Sequence, residues 1–208
     1  MGSGLWSVWQ AFHYEAHTQL AWMRVNLILA VLPVTGAILL YAGWRWLSVL
    51  RWPLLLATGL LLPNAPYVVT DLIHLDDSLR RAPGPLYVWA GVIPLFACLL
   101  ATGVLSYAFT LHLMRKGMRS AGWSRRRRVT VEVVVGSLCA LGVALGRISR
   151  LNSWDVLHPT RLASGLATVS LDPRSIAFAL IIVIVAGVVV DWLASGAAHS
   201  LRDRMRHR

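Results

Sequence analysis

Two short stretches concentrate the residues able to do chemistry. The first, Leu62-Pro63-Asn64-Ala65-Pro66-Tyr67-Val68-Val69-Thr70-Asp71-Leu72-Ile73-His74-Leu75, interrupts an apolar segment with two prolines. It then presents Asn64, Tyr67, Thr70, Asp71 and His74 within eleven positions. The second runs from Gly146 to Asp155 and carries Arg147, Arg150, Asn152, Ser153, Trp154 and Asp155.

Three kinds of chemistry fit these residue types. Asp71 and His74 are spaced i, i+3, so a helix resuming after Pro66 puts both on one face, and Asp155 and His158 repeat the spacing. Asp71, His74 and Asp155 are therefore candidate ligands for a divalent metal such as zinc, and an open coordination position would permit hydrolysis. The plainer reading has Asp71 capping the following turn and His74 hydrogen-bonding at the membrane edge; D-x-x-H is too short to be specific. Arg147 and Arg150 are also i, i+3, and guanidinium forks suit phosphate or carboxylate, such as an anionic lipid headgroup or a phosphorylated envelope precursor. The rival reading pairs the two arginines with Asp155 and Asp71, locking the fourth span to the second, since charges near lipid are usually paired. Trp154 and Tyr67 fit an aromatic anchor at the membrane edge. There is no phosphate-cradling glycine loop, no nucleophile elbow and no HExxH motif, and the sequence leaves the cofactor unknown.

The elements that must position these residues are membrane spans. Of 208 residues, 57% are hydrophobic and only 14% charged, against roughly a quarter charged in an average soluble domain; mean hydropathy is +0.61. Lipid is the expected solvent, and the length allows one domain. The net charge of +11 is clustered beside apolar runs, which fits orientation in a membrane and argues against nucleic acid. Cys98 and Cys139 each lie mid-span and read as buried free thiols without a disulfide framework.

In chain order, residues 1–21 form an N-terminal amphipathic, interfacial segment, with Trp9, Phe12, Ala16 and Leu20 at helical spacing and no basic residue of the kind that opens a cleavable signal peptide. A single transmembrane helical domain covers 22–200, and a basic tail covers 201–208. The expected fold is all-α: an integral membrane helical bundle of about five transmembrane helices. A hydrocarbon core of about 30 Å takes about 20 helical residues. The first span is Trp22 to Ala42, with Arg24 and Asn26 at its start and Pro33 kinking it. An aromatic and arginine link follows. The second span, from Trp52, is broken by Pro63 and Pro66, and the break must be covered by protein or line a wet cavity. Asn64 and Thr70 are suited to satisfy the freed backbone groups. Asp76 to Pro85 is a polar loop, Leu86 to Leu113 the third span, Arg115 to Arg128 a basic loop and Val129 to Leu145 the fourth span. Gly142 and Gly146 have the small-xxx-small spacing that permits close helix approach. A loop then runs through Pro173, and Ile176 to Ala198 is the fifth span, aliphatic except for Asp191.

Five spans place thirteen of the twenty Lys and Arg residues on one side (Arg45, Arg51, those of 115–128 and the tail) and seven on the other. The positive-inside rule puts the thirteen in the cytoplasm, with the N-terminus outside and the C-terminus inside. Both polar stretches then fall on the same outer face.

At these two stretches the chain resembles a family of bacterial membrane proteins, domain of unknown function 1361. The run from Leu62 to Leu75 is similar to that family's signature, and Gly146-Arg147, Arg150 and Asn152-Ser153-Trp154-Asp155 are similar to its second one; Arg24-Val-Asn26-Leu resembles its first-span start. His158 lies outside the pattern. The resemblance implies a multi-pass bacterial membrane protein and no assigned reaction; the expected location is the bacterial inner membrane.

Three functions remain open at the sequence level. The outer site, centred on Asn64, Asp71, His74, Arg147, Arg150, Asn152 and Asp155, binds an anionic or polar envelope or lipid component, with a possible transport role. Alternatively it is an enzyme using Asp71 and His74 as metal ligands or acid/base groups on a lipid-linked substrate. Alternatively the motifs lock helices together and the protein assists assembly. Membrane lipid is the expected partner, with a homo-oligomer or a membrane partner protein compatible with each.

Overall fold

The computed structural model describes residues 2–43, 49–170 and, beyond them, 173, 174, 176, 177, 180, 181 and 184. Most of the expected fifth span, including Asp191, the basic tail and most of the link around Trp44 and Trp46 lie outside the described residues. The described chain is all-α: α1 (Gly2–Gly43), α2 (Arg51–Leu61), α3 (Asn64–Tyr67), a 3-10 turn (Val68–Leu72), α4 (Ile73–Arg81), α5 (Pro85–Tyr87), a π turn (Val88–Val92), α6 (Ile93–Ser120), α7 (Arg125–Ile148), a second 3-10 turn (Ser153–Leu157) and α8 (Pro159–Ser170). Four stretches are long and apolar enough to cross a membrane: Met23–Gly43, Arg51–Arg81, Pro85–Ser120 and Arg125–Ile148. The fold is an all-α helical membrane bundle.

α1 has 42 residues, which is about 63 Å of helix and longer than a whole bilayer with its headgroups. It runs through Pro33, and no helix break marks residue 21. Ala11 and Glu15 are buried, because that face packs against Gly91: a Cβ there would lie 2.8 Å from the Ala11 carbonyl oxygen. At the other end of the same two helices, the Lys116 ammonium lies 4.8 Å from the Tyr41 ring centroid. α1 and α6 are thus parallel, as first and third spans must be.

Three expected loops are shorter than the sequence indicated. Residues 73–81 are helical, with Arg80 on Asp76 at 2.9 Å and Arg81 beside Asp77 at 3.8 Å, the i, i+4 pairing that supports an exposed helix. Much of the basic loop is helix: α6 continues to Ser120, and α7 starts at Arg125 with Ser124 as its N-cap, its hydroxyl accepting from the Arg127 N–H. Between Asp155 and Leu171 the chain forms α8, opened by Pro159 at its first position, where the missing N–H is harmless.

The proline break does not unwind the second span; it tightens it. Without an N–H, Pro66 cannot reach the Leu62 carbonyl, which instead accepts from the Ala65 N–H at 3.1 Å. That diverts Ala65 from Leu61, and the Asn64 side-chain amide takes over the Leu61 carbonyl at 2.9 Å. Thr70 Oγ1 likewise donates to the Tyr67 carbonyl at 2.7 Å. Both residues do the backbone repair their types suggest. The broken segment is covered by protein on both sides. Leu62 and Ala65 join Tyr107, Leu111, Cys139 and Val143 in one core between α3, α6 and α7. Val68 joins Met23, Ala30, Val92, Phe96 and Leu99 in another against α1 and α6.

Candidate functional site

The two polar stretches meet at one end of the bundle. Asn64 donates from its side-chain amide to Ser153 Oγ at 2.9 Å, across 89 positions of sequence. The close approach that allows this is made by α7's small residues. A Cβ on Gly142 would come within 2.7 Å of the Pro63 ring, and one on Gly146 within 3.0 Å of the Tyr67 ring. The small-xxx-small pattern therefore has a partner inside the chain, the broken segment itself.

Asp71 is buried and accepts a hydrogen bond from the Asn26 side-chain amide at 2.7 Å, which joins the first span to the second. Asn26 was legible as a polar residue inside a span; its role as the partner of Asp71 was not. His74 and Arg147 lie within electrostatic reach of the Asp71 carboxylate. Asp155 is buried and closes a capping box with Asn152: Asp155 Oδ2 accepts from the Asn152 N–H at 2.8 Å, and the Asn152 side chain caps the turn in return. Its other oxygen pairs with Arg161 Nη1 at 3.0 Å. The backbone N–H of Asn152, followed by the Arg161 guanidinium, holds the Asp155 carboxyl below the usual carboxylate range.

The hydrogen bonds to the two acids come from groups other than Arg147 and Arg150, while the Arg147 guanidinium stays within electrostatic reach of Asp71. Each acid accepts its hydrogen bonds elsewhere, Asp155 from a guanidinium six residues on and Asp71 from an amide on α1. The sequence signal for the former was present in Asn152-x-x-Asp155, a turn-capping pattern that rigidifies the loop leading to Arg161. Asp71, His74, Asp155 and His158 do not assemble as a metal site either. Among the described residues no three His, Cys, Asp or Glu side chains converge as ligands, and Asp155 spends both oxygens on Asn152 and Arg161.

What remains is a cavity of about 1290 Å³ between α1, α2 and α7. Its long walls are apolar, from Trp52, Leu55 and Leu56 on α2 and from Val135, Leu138 and Leu141 on α7. Its polar end collects Asn26, Asn64, Tyr67, His74, Arg147, Arg150, Asn152, Ser153 and Asp155. From Trp52 to Asn64 the helical rise is about 18 Å, so the apolar trough covers more than half of a hydrocarbon core about 30 Å thick. Thr70, Asp71 and Trp154 are not in its lining: Thr70 and Asp71 are buried, and Trp154 is exposed.

Arg147 and Arg150 are exposed at the rim, and among the described residues neither makes an ion pair or a hydrogen bond to a side chain. Arg150 also has φ of 52°. It ends α7 in the left-handed conformation that glycine usually supplies, at a cost for an L side chain on the order of 1 kcal/mol. The strain is kept at a position that lines the cavity, and nothing in the sequence announces it because the residue is not glycine.

No curated protein and no solved structure matches this chain. One family model does, over residues 25–189, a span that includes Asn26, the proline-broken segment, both glycines of α7 and the whole Arg147–Asp155 turn. By that match the chain belongs to the family described as Protein of unknown function (DUF1361).

Proposed function

We propose that the cavity between α2 and α7 binds an anionic membrane component, with its charged head at Arg147 and Arg150 and its apolar part along the trough. One observation carries the reading: a lipid-sized apolar cavity ends in two arginines, while the nearby acids accept hydrogen bonds from Asn26, Asn152 and Arg161. Charge exposed beside lipid is costly and marks a functional site by default. We further propose the orientation the arginine distribution supports, in a bacterial cytoplasmic membrane, with the cavity's polar end outside and the C-terminus in the cytoplasm.

The polar stretches then divide by role. Asn64, Thr70, Asp71, Asn152, Ser153 and Asp155 hold the break, the first span and the turn in place. His74, Arg147 and Arg150 face the ligand. This division favours binding over acid/base catalysis by Asp71 and His74, since Asp71 is turned to α1 and away from the cavity lining.

The test is thermal unfolding in detergent with added phosphatidylglycerol or phosphatidylcholine. A ligand that binds only the folded state raises the midpoint, by an amount that grows with the logarithm of its concentration over Kd. The anionic lipid raises the midpoint and the zwitterionic one does not, and the difference disappears in Arg147→Gln/Arg150→Gln. Equal shifts in the wild type and the double variant would overturn the proposal.

A further inference from the structure

We propose that His13 and His17, on the N-terminal part of α1, chelate a divalent transition-metal ion of the zinc type. The site is separate from the cavity and does not rest on the reading given to it. The two histidines are one helical turn apart, both exposed, and their Nε2 atoms face each other at 3.2 Å. Two imidazole nitrogens bound to one tetrahedral zinc at about 2.0–2.1 Å each are separated by about 3.3 Å. The pair is therefore already at chelating distance, with ring centroids 4.3 Å apart. The Trp9 ring lies one turn before, its centroid 5.9 Å from that of His13 and its plane tilted 42°.

The opposite face of this segment fixes the direction of the pair. Ala11 and Glu15 are buried and pack on Gly91, so α1 cannot roll to hide the imidazoles. Preorganisation of this kind lowers the ordering cost of binding. It also separates the site from catalytic helical zinc motifs. In those, a glutamate next to the first histidine supplies a general base; here Glu15 sits between the two histidines in sequence and points to the other side. Two imidazoles with no base give a binding site, its remaining coordination positions open to water or to a group from outside. Imidazole ligands select zinc, copper or nickel over magnesium and calcium, which take oxygen.

The experiment is isothermal titration of zinc chloride into the full-length protein in detergent, with any purification tag removed. The wild type binds one zinc per chain saturably. Both His13→Ala and His17→Ala weaken binding roughly tenfold or more, the scale on which perturbed metal sites are read. His112→Ala, an exposed histidine on α6, leaves binding unchanged. Because His13 and His17 are exposed, their variants unfold at the wild-type midpoint. The proposal is overturned if the wild type binds no zinc, if either His13→Ala or His17→Ala binds it as the wild type does, or if His112→Ala weakens it equally.

Discussion

Asn64 donates to Ser153 Oγ at 2.9 Å, and by the same amide group it serves the Leu61 carbonyl that the proline break leaves open. One side chain thus repairs the second span and ties it to the turn after the fourth. Ser153 takes part only in the tie. Asn64→Ala should lower stability by about 1–3 kcal/mol, the cost of stranding buried polar groups, while Ser153→Ala should cost about 0.5–1.5 kcal/mol. Thermal unfolding of the two single variants and the double variant in detergent measures both values and their coupling; independent, additive effects would mean the bond contributes nothing.

Asn26 and Asp71 should behave as a unit. Removing the amide with Asn26→Leu leaves a buried carboxylate without its closest donor, and the expected loss is about 1–3 kcal/mol or more. Asn26→Leu combined with Asp71→Leu removes both polar groups and should recover part of that loss. A double variant no more stable than Asn26→Leu alone would show that the carboxylate does not depend on Asn26.

Arg150 separates folding from function. Relief of its left-handed backbone makes Arg150→Gly neutral to stabilising, within about 1 kcal/mol, while anionic lipid binding weakens. A variant that lost stability would place Arg150 among the residues that hold the fold.

Asp155 predicts an acid limit for the turn that carries Arg150. Its folded carboxyl titrates below the usual value, so the stabilisation is complete above the ordinary carboxylate pKa of about 3.9 and is lost as pH falls below it. The midpoint of the wild type should hold from pH 7 to about pH 4 and drop below that range. Asp155→Asn should start lower at pH 7 and lack that drop. Matching profiles for the two proteins would assign the acid sensitivity to another group.

Much of the architecture was legible because it rests on what single residues cannot do. Pro63 and Pro66 cannot donate and stand three residues apart, so a disturbed helix was expected there, and Asn64 and Thr70 were identifiable as the side chains that repair it. Four of the five expected spans coincide with described apolar helices, because twenty apolar residues in a row admit few other solutions. The pairing of charges was not legible, since it depends on which atoms arrive first in space. Asp155 found Arg161 through a capped turn, and Asp71 found Asn26 across two helices. The αL backbone of Arg150 and the helix at 159–170 were hidden for a similar reason. The first is fixed by the hydrogen bonding at the end of α7, including the Leu151 N–H on the Leu145 carbonyl at 3.3 Å. The second is too short and too mixed to stand out beside the longer spans.

The most direct test of the central claim is native mass spectrometry of the protein released from nanodiscs that contain phosphatidylglycerol and phosphatidylcholine in equal amounts. The account predicts one retained phosphatidylglycerol per chain in the wild type, lost in Arg147→Gln/Arg150→Gln and retained in Ser153→Ala. Retention of both lipids alike, or of phosphatidylglycerol by the double arginine variant, would contradict it.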